Sequence, residues 1–147
     1  MTHHSCPMRV VVVAACLAAV VSLGGCTGSS TTPGQVPLGQ SFELRAGTSA
    51  ALQDGLTVAF ETVRSDSRCP MDATCVWAGD AIVAVQLSQS GGNQAARELH
   101  VNPGVPSGSE ASYLTYSIKL VTLTPYPRSD QAIQPNDYVA TFIVNAR

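Results

Sequence analysis

Apolar residues recur at every second position along most of this chain, a period that suits extended strands and excludes amphipathic helices. Phe42 and Leu44 alternate with Glu43 and Arg45, and Leu56, Val58 and Phe60 with Thr57, Ala59 and Glu61. Ala81, Val83, Val85 and Leu87 form a third such run, and Leu99 and Val101 flank His100. Tyr116, Ile118 and Leu120 form a fifth, and Tyr138, Ala140, Phe142 and Val144 a sixth. Turn formers separate them: Asp54-Gly55, Ser90-Gly91-Gly92-Asn93, Asn102-Pro103-Gly104 and Pro125-Tyr126-Pro127. Short, β-branched runs at this spacing predict an all-β fold, an antiparallel β-sandwich or small barrel of about six or seven strands.

The N-terminus follows a different rule. Arg9 precedes an apolar run, Val10 to Leu23, that is apolar on every face and so unlike a surface helix. As a helix it would rise about 21 Å, short of the roughly 30 Å hydrocarbon core. Its length and flanks fit the apolar stretch of an export signal. The expected division is a signal peptide over residues 1–25, a tether over 26–37 and one β-domain over 38–147. The tether, TGSSTTPGQVP after Cys26, holds little to bury and spans about 20 Å as a coil.

Leu23-Gly24-Gly25-Cys26 resembles the lipobox of bacterial lipoproteins, with Gly where Ala or Ser commonly follows the leucine. The resemblance implies cleavage before Cys26, a thioether-linked diacylglycerol on its sulfur, and often a further acyl chain such as palmitate. Two or more chains make anchoring stable, at about 0.8 kcal/mol per buried CH₂. It also implies a place in the cell envelope: the outer membrane in a diderm, since Thr27 is not aspartate, and otherwise the outer face of the cell membrane. The alternative is plain secretion with Cys26 left free.

Export changes what the composition means. The 45% hydrophobic fraction is inflated by the signal segment, and removing Arg9 leaves seven basic side chains against ten acidic ones. A net charge of −3 offers no electrostatic grip on nucleic acid or anionic lipid. Of five cysteines, Cys6 and Cys16 leave with the signal and Cys26 takes lipid, so Cys69 and Cys75 remain in an oxidising compartment. A disulfide is the default there.

The stretch SRCPMDATCVWAGDA, residues 67–81, admits several readings. Redox catalysis wants C-x-x-C at a helix start, and structural zinc wants more ligands and tighter spacing. Calcium held by Asp66, Asp72 and Asp80 matches no ordered calcium loop. A reactive loop presenting Pro70, Met71 and Asp72 to a protease is conceivable because a closed ring lowers the entropy cost of binding. The simplest reading is a staple, with Trp77 packed over the nearby core and Gly79 turning the chain into the next strand.

The run Asp66-Ser67-Arg68-Cys69-Pro70 and Cys75-Val76-Trp77-Ala78-Gly79-Asp80-Ala81, with Leu123-Thr124-Pro125-Tyr126-Pro127, resembles a motif of small exported bacterial proteins of unknown function. The resemblance covers about residues 42–144 and implies a β-rich envelope domain, with no catalytic residue to transfer.

No catalytic constellation stands out. There is no G-x-S-x-G elbow, and His100 is the one histidine left after export, expected on a polar strand face. A pair such as Glu61 and Glu98 is unremarkable among ten acids. Ser90–Asn93 reads as a hairpin turn and not a phosphate loop. Tyr113, Tyr116, Tyr126 and Tyr138 could line a groove, but two or three of them are expected to cap the core. The expectation is therefore a non-enzymatic, lipid-anchored envelope protein with a binding or scaffolding domain. It needs no cofactor or metal, touches the membrane through its lipid, and meets an unidentified protein or small ligand through loops including Pro70, Met71, Asp72 and Trp77. The alternatives are a protease or hydrolase inhibitor acting through the Cys69–Cys75 ring, and a small exported hydrolase or metal-binding protein.

Overall fold

A computed structural model describes residues 34–102 and 108–147. The expected signal segment, Cys26, most of the expected tether and the centre of the Asn102–Ser109 loop lie outside the described residues. None of the described helices is long and apolar enough to cross a membrane.

The fold is all-β. Eight strands run as β1 (Ser41–Arg45), β2 (Thr48–Ala51), β3 (Leu56–Asp66), β4 (Ala81–Gln89), β5 (Gln94–His100), β6 (Glu110–Tyr113), β7 (Tyr116–Thr124) and β8 (Val139–Ala146). Single 3-10 turns occur at Gln53–Gly55 and Pro135–Asp137. The strands form two four-stranded antiparallel sheets, ordered β1-β8-β7-β6 and β2-β3-β4-β5. The alternation explains the pairing: Val58, Phe60, Val83 and Val85 from one sheet and Ala140 and Phe142 from the other are wholly buried. Phe60 meets Phe142 edge-on across the interior, with ring centroids 6.1 Å apart, a favoured aromatic geometry.

Two strands exceed the sequence expectation. β2 is TSAA, without an apolar alternation, and β6 is EASY, where Ala111 and Tyr113 give only two members of one. Longer partners, β3 and β7, hold them in register. β3 is also longer than its alternation suggests. Register shifts between Phe60 and Thr62 and between Val63 and Ser65 each insert a residue, so the period fails where the strand continues. A similar shift between Leu120 and Thr122 puts Leu120 and Leu123, three apart, into one core.

The two poles of the domain differ. The described chain enters one pole at Val36, which bonds Ala51 and Gln53, and at Gly39, whose N–H donates to the Val144 carbonyl. The β4–β5 hairpin and the β6–β7 turn share that pole, tied by the Tyr113 hydroxyl donating to the Asn93 carbonyl. At the opposite pole β3 ends, β4 begins and the 125–138 segment closes over them. β3 alone places the poles about 30 Å apart at the usual strand rise.

Candidate functional site

The second bulge of β3 aims Asp66 into the distal pole, and the chain then runs on as an irregular hairpin over residues 67–80. Ser67 N–H donates to the Asp80 carbonyl and Cys69 N–H to that of Ala78. Cys69 and Cys75 are joined in a disulfide near its tip, their Cα atoms 5.9 Å apart. Within the ring, Ala73 N–H bonds the Pro70 carbonyl in a tight turn. Removing the crosslink with Cys69→Ser is expected to lower stability by about 2.4 kcal/mol on the loop-entropy formula. Unfolding midpoints of the two proteins check this; unchanged midpoints would contradict it.

Three polar anchors fix this hairpin. The first is Arg68, 5% exposed and the only charged residue buried as a whole among the described residues. Its Nε donates to Asp66 Oδ1 at 2.8 Å and its Nη2 to Oδ2 at 2.6 Å, a fork-to-fork pair. Nη1 donates to the Leu123 carbonyl at 2.6 Å and Nη2 also to that of Pro125 at 2.9 Å. The guanidinium lies 4.9 Å from the centre of the Tyr126 ring, a cation–π contact. Tyr138 completes the group by donating its hydroxyl to Asp66 Oδ2 at 3.1 Å.

The second anchor is Asp80. Its Oδ2 lies 2.5 Å from His100 Nδ1, and its Oδ1 accepts the Asn102 N–H at 2.9 Å. Asn102 Nδ2 donates in turn to the Gly79 carbonyl at 2.8 Å. The third is Asp72, which accepts both the Ser129 N–H and its hydroxyl. Beside it, Met71 N–H bonds the Pro127 carbonyl.

These anchors rearrange the sequence reading. Asp66, Asp72 and Asp80 do not converge; each is committed to its own partner. His100 is not simply solvated on a strand face, because it closes the second anchor. Trp77 does not pack over the core. It is 82% exposed, with Val76 at 91% and Met71 at 63%. The hairpin is held to the domain by polar anchors and by the Arg68–Tyr126 contact, and not by its own indole. Gly79 turns as expected, with φ +69. Tyr113, Tyr116 and Tyr138 are buried and Tyr126 is not.

Arg68 is the residue that sequence reasoning missed. The signal was an Asp-x-Arg spacing, which puts both side chains on one side of an extended chain, just before a cysteine ring.

The carboxylates carry a pH consequence. Burial alone would raise Asp66, but bonds from Arg68 and Tyr138 outweigh it and hold it below its ordinary 3.8. Burial opposes ionisation of Asp80 too, and His100 and the Asn102 N–H likewise bring it below 3.8. A depressed carboxyl stabilises the fold above its unfolded value, and that contribution is lost as pH falls through the folded one. The melting temperature is thus expected to hold from neutral pH to about pH 4 and then drop. Asp66→Asn should flatten the drop, and an unchanged acid limb would contradict the assignment.

Small hollows of about 120 Å³ flank Tyr126, one lined by Arg128, Ile133 and Asp137 and the other by Ala78, Gly79 and Val101. Met71, Val76 and Trp77 line neither; all three stand exposed on the hairpin. No protein-family model matches this chain, and no curated protein or solved structure is detectably similar to it.

Proposed function

We propose that this chain is a lipid-anchored protein of the cell envelope whose β-domain binds another molecule, without catalysis, through the pole that carries the cystine hairpin. One observation carries the binding reading: three large apolar side chains, Met71, Val76 and Trp77, stand in water on a segment that a disulfide and three polar anchors hold still. Leaving Trp and Val so exposed gains nothing for folding, whereas a rigid exposed tryptophan makes a strong binding anchor. Of the titratable groups of the pole, Asp66, Arg68, Asp80 and His100 are occupied in holding the hairpin, which supports a binding role for it.

The anchoring reading rests on Val10–Leu23 followed by Leu23-Gly24-Gly25-Cys26. It agrees with the fold in one respect: the tether joins the domain at the pole opposite the hairpin, which leaves the tip free to face a partner. The inhibitor reading has less support, because the Pro70–Ala73 turn and the bond from Met71 N–H keep the ring from the extended shape a protease cleft requires. Intact-mass measurement on the full-length gene product from its native host tests the anchor. The expected species begins at Cys26 and carries diacylglycerol; one retaining residues 1–25, or trimmed without fatty acid, would overturn it.

A further inference from the structure

Four of the six large apolar side chains exposed among the described residues, Met71, Val76, Trp77 and Tyr126, lie on the hairpin pole. The charges around them are unbalanced. Segments 66–80 and 125–138 together hold five aspartates, Asp66, Asp72, Asp80, Asp130 and Asp137, against two arginines, Arg68 and Arg128. The buried Arg68–Asp66 pair cancels itself, and the rest of these segments keeps Asp72, Asp80, Asp130 and Asp137 against Arg128, which pairs with Asp130. Shape and charge together select among possible occupants. An anionic bilayer would repel an acidic pole. A second copy would bring two such poles face to face, like charge against like. A small ligand needs a hollow, and Trp77 lines none of those described.

We infer that the Met71–Val76–Trp77 tip is a plug for an apolar cleft with a basic rim on a different envelope protein. The inference rests on the binding reading above and adds the class of partner. The tip supplies the desolvated centre, with tryptophan as the anchor residue. Asp130 and Asp137 face the partner's rim, guiding encounter and excluding wrong partners. The three side chains are too few to fill a standard interface of about 800 Å² per side, so the acidic surround forms the rest of the contact.

The test uses the full-length chain in membranes of its native host, with Trp77 replaced by the photo-cross-linker p-benzoylphenylalanine. Leu114, exposed on the opposite pole, receives the same replacement as a control. The expected result is an adduct from position 77, absent from position 114, with one protein that is not this chain. Raising salt from about 0.05 M to about 0.5 M should lower its yield several-fold, since screening shortens the reach of rim charges. Asp130→Lys should lower it further at low salt while leaving melting unchanged.

An adduct of twice the chain's mass, an adduct with lipid, a yield indifferent to salt, or no adduct would each overturn the inference. A parallel sedimentation with isolated cell-wall polysaccharide separates its failure from that of the binding reading. Trp77-dependent retention there would keep the binding role and reject a protein partner; no retention and no adduct would reject both. The fatty-acid measurement on Cys26 is independent of either result.

Discussion

Arg68→Ala is expected to be the most damaging single substitution in the domain, lowering stability by about 3–5 kcal/mol. The loss is not mainly that of an attraction. The guanidinium satisfies both oxygens of Asp66 and the carbonyls of Leu123 and Pro125. Deleting it leaves a nearly buried carboxylate, 8% exposed, without its cation. An unpaired buried acceptor retains its full desolvation cost. Lysine should recover little, because a single ammonium cannot reproduce a planar fork reaching three partners.

The double variant Asp66→Asn with Arg68→Met should be less damaging than Arg68→Ala alone, since it removes the orphaned charge as well. Urea unfolding of the wild type, the single variants and the double variant measures this directly. A cost for Arg68→Ala within about 1 kcal/mol would place it among ordinary exposed ion pairs and refute the anchor.

Gly79→Ala is expected to come second. A Cβ built at Gly79 would lie 1.8 Å from the Ser67 carbonyl oxygen and 2.6 Å from its carbon, both main-chain atoms. The residue also sits at φ +69, in the left-handed region. The conformational penalty alone is about 1 kcal/mol. The clash adds far more, because only backbone displacement relieves it. Displacement breaks the Ser67–Asp80 pairing and the Asn102 bond to the Gly79 carbonyl together.

The two sheets need not unfold with it, so hydrogen exchange is the sharper measurement. The amides of Ser67 and Cys69 should lose their protection while those of Val83 and Phe142 keep theirs. Gly91→Ala provides the contrast, at φ +117 with nothing within 4 Å of the added carbon. It should cost only the conformational penalty. Equal effects at the two glycines would contradict the close approach at Gly79.

Where strands are regular, the fold can be read from residue type alone. β8 alternates without interruption and β4 nearly so, with Ala84 buried as well; Ala81, Val83, Val85, Leu87, Ala140, Phe142 and Val144 are the ones a two-residue period selects. The second half of β3 was obscured because Glu61 and Arg64 sit at its bulges and break that period. β2 and β6 were obscured because their register is imposed by neighbours and not by their own side chains.

The cystine could be read from the expected compartment and counting, since an export signal ending at Cys26 would leave two sulfurs in one short segment. The role of Trp77 could not. Residue type places an indole indoors, whereas here polar anchors centred on Arg68, Asp72 and Asp80 hold the hairpin and the indole stays outside. Asp80 and His100 are twenty residues apart in sequence. They meet only because β4 and β5 place Ile82 opposite His100 at the ladder's end, information that no local spacing carries.

Because Trp77 is the only tryptophan of the chain, its fluorescence reports the proposed binding tip without interference. With the native full-length chain, red-shifted emission like that of free indole, ready quenching by acrylamide, and anisotropy decay at the rate of whole-domain tumbling are expected together. An exposed side chain on a rigid mount gives all three. Blue-shifted, unquenched emission would mean that the indole is buried, and a dominant fast decay would mean that the hairpin is loose. Either result would contradict a pole built to hold this ring out into water.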